Sequence, residues 1–172
     1  MKTLKQVSVE LNYPSDKDTS HNYLPVYQEE FTEIQNIKML ELGVCYGGSL
    51  ILWNGFFIDS EIHGIDNAKY TDDPIPGIMH WGNYEDLHTN FENNYFDYIV
   101  NDSMHYAKEQ IEAFNLYYSK VKSGGKFFME DIPDMDNVAE IVKTLDGHIF
   151  KVYNMNASSD SQDSIILVVY KP

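Results

Sequence analysis

The 172-residue sequence contains a single cysteine, Cys45, so no disulfide can close within the chain. That argues for a reducing compartment, and the expected location is the cytoplasm. Basic residues are scarce, with 12 against 27 acidic ones and a formal net charge of −15. Phosphate backbones and anionic bilayers repel such a surface, which excludes nucleic acid and membrane as expected partners. Long hydrophobic runs are missing as well. The opening MKTLKQVSVELNYPSDKDTS has no apolar core of the kind a signal peptide needs, and the longest apolar runs, such as Ile165–Tyr170, are strand-sized. No repeat, low-complexity tract or Pro/Gly/Ser linker divides the chain.

What is present is material for a core. The hydrophobic fraction is 43% and the aromatic fraction 14%, with 13 Tyr and 9 Phe, far from the composition of a disordered chain. Strand-like apolar runs alternate with helical patterns, the signature of a parallel α/β sheet. Strands are expected at 38–44 (KMLELGV), 61–67 (EIHGIDN), 77–81 (GIMHW), 96–101 (FDYIVN) and 126–132 (KFFMEDI). Helices are expected over about 49–57, 84–91, 107–121 and 137–145, the third ended by Ser123-Gly124-Gly125. The runs 149–154 and 165–170 would form a closing antiparallel pair, giving a mostly parallel seven-stranded sheet flanked by helices.

The first chemical signal is Glu41-Leu42-Gly43-Val44-Cys45-Tyr46-Gly47-Gly48-Ser49, between a strand and a helix. Glycine there lets backbone approach a ligand, and the helix N-terminus beyond offers free N–H groups to a carboxylate or phosphate. Asp66 ends the second strand, where an acid can accept hydrogen bonds from ribose hydroxyls. The pattern fits a nucleotide or S-adenosylmethionine. Its G-x-x-x-G-G spacing departs from the dinucleotide fingerprint and disfavours an NAD-binding oxidoreductase. So does Gln110, which stands where a Tyr-x-x-x-Lys pair begun at Tyr106 needs its lysine.

The second signal is Asn101-Asp102-Ser103-Met104-His105 after the fourth strand and Glu130-Asp131 at the end of the fifth. In a parallel sheet these ends converge on one crevice. Successive strand residues point to opposite faces, so Glu130 and Asp131 can face one ion only where the strand breaks, and Pro133 supplies a break. Three carboxylates in one cleft repel one another unless a cation lies between them, and oxygen ligands select a hard ion, magnesium or manganese. His105 has a pKa suited to taking a hydroxyl proton near neutrality.

The stretches DKDTSHNYLPVY, LELGVCYGGSLILW, IHGIDN, FDYIVNDSMHY and SGGKFFMEDIPD resemble the macrocin- and mycinamicin-type sugar O-methyltransferases and their cephalosporin hydroxylase-like relatives. The resemblance implies the class I methyltransferase (Rossmann-like) fold as a single domain over 1–172. Within it, 1–36 would be an N-terminal helical segment walling the active site and 37–172 the core. It implies S-adenosylmethionine bound by Glu41, Gly43, Gly47, Ser49 and Asp66, with Asn83 or Tyr84 near the adenine and Lys17 and Tyr23 from the opening segment. It implies Asp102, Glu130 and Asp131 as ligands of Mg2+ or Mn2+, and His105 as the base. Whether His21, Tyr23 and Tyr27 touch cofactor or acceptor stays open. These families often carry D-D-G-S-H where this chain has N-D-S-M-H, so the pocket beside the ligands differs. The acceptor implied is a sugar or other vicinal diol, as a small molecule or glycan, and a homo-oligomer is one way to enclose it. The alternatives are a catechol-type phenolic O-methyltransferase and a catalytically inactive cofactor-binding protein.

Overall fold

A computed structural model describes residues 2–12 and 15–172. Seven strands, Lys38–Leu42 (β1), Glu61–Asp66 (β2), Ile78–Trp81 (β3), Phe96–Asn101 (β4), Val121–Met129 (β5), Ile149–Asn154 (β6) and Ile165–Tyr170 (β7), form one sheet in the order β3-β2-β1-β4-β5-β7-β6. Strands β1 to β5 run parallel to one another, while β7 runs antiparallel to both β5 and β6, so the sheet is mixed. Helices Leu4–Leu11 (α1), Asp16–Thr19 (α2) and Leu24–Glu30 (α3) precede the sheet. Gly48–Phe56 (α4), Tyr84–Leu87 (α5), Ala107–Tyr117 (α6) and Met135–Thr144 (α7) are interleaved with it. No helix among the described residues is long and apolar enough to cross a membrane.

Side-chain alternation divides each central strand between two cores. Met39, Tyr98, Val100, Phe128 and Val168 face one layer with α3 and α4, where Tyr27, Phe31 and Trp53 pack edge to face or tilted. Leu40, Leu42, Ile99, Phe127 and Val169 face the other, against Phe114 and Tyr117 of α6 and Ile141 of α7. Helix α3 is also tied to the β5–β7–β6 edge of the sheet by polar contacts. The Glu30 carboxylate accepts from Lys126 Nζ at 2.9 Å, from the Tyr170 hydroxyl at 2.8 Å and from the Tyr153 hydroxyl.

The Ser123-Gly124-Gly125 segment does not end a helix. Helix α6 stops at Tyr117, a 3-10 turn covers Tyr118–Lys120, and β5 starts at Val121, not Lys126. Glycine serves close packing here, because a Cβ on Gly125 would lie 2.6 Å from the Asp97 carbonyl oxygen on β4. The β4–β5 register shifts at this place, between Phe96 and Tyr98. Strand β5 also ends sooner than expected, at Met129, because Asp131 takes a left-handed φ of 54° before Pro133 is reached.

Candidate active site

A cavity of about 1040 Å3 opens beyond the C-terminal ends of β1, β2, β4 and β5, the usual ligand crevice of such a sheet. Its floor is the β1–α4 loop. Gly43 has φ 84°, and a Cβ there would stand 2.1 Å from the Asp102 carbonyl oxygen. Only glycine lets the two loops pass this closely. Asp66 fixes the same loop from β2: Oδ2 accepts from the backbone N–H of Val44 at 2.9 Å and Cys45 at 2.8 Å, and Oδ1 accepts from Ala68 N–H at 3.0 Å. Gly43, Ser49, Asp66, Asn83 and Tyr84 line the cavity, whereas Glu41, Gly47, Lys17 and Tyr23 do not. Burial pushes the Tyr84 hydroxyl up to about 12, with Glu85 and Glu112 adding to it.

On the side of β4 and β5, Asp102, His105 and Asp131 line the cavity and bring ligand atoms within 4.8 Å of one another. The left-handed turn at Asp131 swings its carboxylate toward His105, whose Nε2 is 3.6 Å from Asp131 Oδ2. Tyr23 donates its hydroxyl to Asp131 Oδ1 at 2.7 Å, and His21 Nδ1 lies 3.4 Å from the same oxygen. Burial, with the charge of Asp102, raises Asp131 to about 7, against the opposing pull of Lys17 and the Tyr23 hydrogen bond. Tyr27, left open by the sequence, is buried in the core on α3.

Glu130 lies with a different group. It joins Glu41 and Asp102 around the Lys17 ammonium, at Nζ–oxygen distances of 2.5, 3.2 and 2.7 Å respectively. Ser49 Oγ and Trp53 Nε1 donate to the second Glu41 oxygen at 2.7 and 3.1 Å. Burial opposes the charge on Lys17, but the three carboxylates outweigh it and hold its pKa well above the ordinary value. Burial raises Glu41 to about 7 and pushes Glu130 well up, since one ammonium cannot neutralise three acids. Glu130 Oε1 is buried with no hydrogen-bond partner. Three carboxylates, Glu41, Asp102 and Glu130, thus share one lysine beside the Asp131 carboxylate, and two oxygens, Glu41 Oε1 and Glu130 Oε1, remain without a hydrogen bond. A hard divalent cation fits that donor set.

Two contributors escape the sequence. Asp163, just before β7, comes within 3.8 Å of both His105 Nδ1 and His21 Nδ1 from a polar stretch that carries no signal of its own. Asn101 and Gln110 form a buried pair, Asn101 Nδ2 donating to Gln110 Oε1 at 2.8 Å while Gln110 Nε2 donates to the Glu130 carbonyl at 2.9 Å. Asn101 also accepts from Ser103 Oγ at 2.7 Å.

No protein-family model matches the chain. Among curated proteins it is 28% identical over 128 residues to the 8-demethyl-8-(2-methoxy-alpha-L-rhamnosyl)-tetracenomycin-C 3'-O-methyltransferase of Streptomyces olivaceus. The match covers 65% of this chain and 32% of that protein. It is 26% identical over 126 residues to the demethylmacrocin O-methyltransferase of Streptomyces fradiae, with the same coverages of 65% and 32%. The chain is thus similar over about two thirds of its length to macrocin-, mycinamicin- and tetracenomycin-type O-methyltransferases. It spans about a third of the length of these relatives. The solved MycE methyltransferase of the mycinamycin biosynthetic pathway, in complex with Mg, SAH and mycinamycin VI, superposes with a TM-score of 0.76 at 20% identity. That superposition covers 99% of this chain and 54% of MycE, and it carries the methyltransferase fold across the whole sheet.

Proposed function

We propose that this chain is an S-adenosylmethionine-dependent, divalent-metal-dependent O-methyltransferase acting on a hydroxyl of a sugar or other vicinal diol. The observation that carries the reading is convergence: Asp102, His105 and Asp131 line the cavity that Gly43 and Asp66 also line. In this reading the Gly43–Ser49 loop receives the methionine part of the cofactor, with the first N–H groups of α4 facing its carboxylate. Asp66, already fixed by three backbone N–H groups, keeps lone pairs for the ribose hydroxyls, and Asn83 and Tyr84 flank the adenine. Residues 1–172 act as one methyltransferase domain, in which 1–36 supports the acids from behind through Lys17 and Tyr23.

Asp102 and Asp131 would hold the cation, and Glu130, whose free oxygen belongs to the adjoining cluster that shares Asp102, would complete the set. When bound, a divalent cation lowers the pKa of an acceptor hydroxyl and helps to hold it in place. His105 stands beside Asp131 to accept the hydroxyl proton. No lysine lines the cavity among the described residues, and the chain has no arginine, which supports an uncharged acceptor over a phosphorylated one.

Calorimetry with S-adenosylhomocysteine (SAH) and NADH, followed by methyl transfer to a rhamnoside bearing free vicinal hydroxyls, tests the reading. We expect SAH to bind, EDTA to abolish turnover and Mg2+ to restore it. His105→Ala should lower kcat by about 10²–10⁴ while SAH and metal affinity persist. Tight NADH binding without SAH binding would end the methyltransferase reading, and full turnover of His105→Ala near neutral pH would remove it as the base.

A further inference from the structure

Lys17 is 1% exposed, and a lysine is almost never so deeply buried unless paired. Its place is dictated by strand parity. Glu41 pairs in register with Val100, and Val100 with Phe128, so Glu41, Asp102 and Glu130 fall on one face at the ends of three adjacent strands. The short helix α2 delivers Lys17 to that face, and its backbone is fixed there. The Lys17 N–H donates to Asp16 Oδ1 at 2.8 Å, and the Lys17 carbonyl accepts from Tyr23 N–H at 2.7 Å. The ammonium then donates to Asp102 Oδ2 and Glu130 Oε2 and stands 3.2 Å from Glu41 Oε1. Two oxygens of the group, Glu41 Oε1 and Glu130 Oε1, are buried without a hydrogen bond. The carboxylate oxygens around Lys17 lie as close together as those of a metal-binding triad, within 4.8 Å.

We propose that Lys17 is the resident cation of a second cation position, which adjoins the cavity and shares Asp102 with it. Lys17 is a positioning residue. It takes one oxygen each from Asp102 and Glu130 and leaves the other oxygen of each free, while its fixed charge keeps a mobile ion out of the space it fills. The inference rests on the methyltransferase reading only for what the free oxygens would hold.

The test counts ions on the whole 172-residue chain without cofactor, from the electron paramagnetic resonance of free Mn2+. The wild type should bind one Mn2+ and Lys17→Met two, because the variant leaves three carboxylates around an empty centre. Lys17→Met should also unfold at a much lower temperature in EDTA, with most of that loss recovered in millimolar Mn2+. Lys17→Met combined with Glu41→Gln should weaken the added ion at least tenfold, leaving the first in place. The same ion count in Lys17→Met as in the wild type, two ions in the wild type, an added ion indifferent to Glu41→Gln, or Lys17→Met equally unfolded with and without Mn2+ would each overturn the proposal. No ion in the wild type but one in Lys17→Met would instead sink the metal reading of the cavity and leave the Lys17 assignment standing.

Discussion

Gly43 carries two separate demands on one atom. Its φ of 84° is left-handed, and the space its side chain would need is filled by the Asp102 backbone. Left-handed backbone costs a non-glycine residue about 1–2 kcal/mol, and here the clash is with main chain that cannot rotate away. Gly43→Ala should therefore lower stability by about 2–4 kcal/mol, a fall in Tm of roughly 5–15 °C at this chain length. It should weaken SAH binding as well, since the loop and Asp102 move together. A Tm within a degree or two of wild type would show that the β1–α4 and β4–α6 loops are not packed in this way. The glycine motif and Asp66 were legible because spacing alone marks them. The resemblance names Lys17 as a cofactor residue, but its place among three acids behind the cavity was not legible, because nothing in a sequence distinguishes a buried lysine from a solvated one. Parity did hold a clue: Met39, Val100 and Phe128 are core residues of one face, and Glu41, Asp102 and Glu130 each lie two positions further along.

At the scale of elements, the junction between α3 and the β5–β7–β6 edge turns on Glu30. Burial alone would raise its pKa, but hydrogen bonds from Tyr153, Lys126 and Tyr170 outweigh it and hold the carboxyl below its ordinary range. A depressed folded pKa gives stability that is present above the unfolded value of about 4.3 and is lost as pH falls through the folded value. Glu30→Gln leaves Lys126 buried without its counter-ion, a cost of about 3–5 kcal/mol near neutrality. Urea midpoints should show that gap wide at pH 6 and narrowing steadily below about pH 4.3. A gap that stays constant down to pH 3 would mean that charge plays no part in the junction. This junction was invisible beforehand, since Glu30 and Lys126 lie far apart in sequence and on elements of different type. The strands themselves were legible, because uninterrupted apolar runs such as Ile165–Tyr170 report burial on both faces. The start of β5 was not, because Ser123-Gly124-Gly125 reads as a helix stop when its real task is close passage against Asp97. Helix α2, four residues long, is too short for any periodicity to register.

The whole molecule combines a net charge of −15 with a cavity side on which three carboxylates share one lysine and Asp131 stands beside them, and these two facts predict different responses to salt. Diffuse repulsion among surface acids is relieved by any salt to an extent set by its ionic strength, because screening depends on the Debye length. A bound ion acts by mass action instead, adding about 2.7 kcal/mol once its concentration reaches about a hundredfold its Kd. Millimolar Mg2+ should then raise Tm by roughly 5–10 °C beyond what NaCl of equal ionic strength achieves, taking about 2–4 °C per kcal/mol at this size. Asp131→Asn should abolish that excess and keep the NaCl response, because the substitution removes a ligand and barely changes the total charge. Thermal scans of both proteins in the two salts separate the effects without any knowledge of the acceptor. If NaCl matched Mg2+ at equal ionic strength, the acidic cluster would be only one part of an acidic surface, and the case for a specific cation would fall with it.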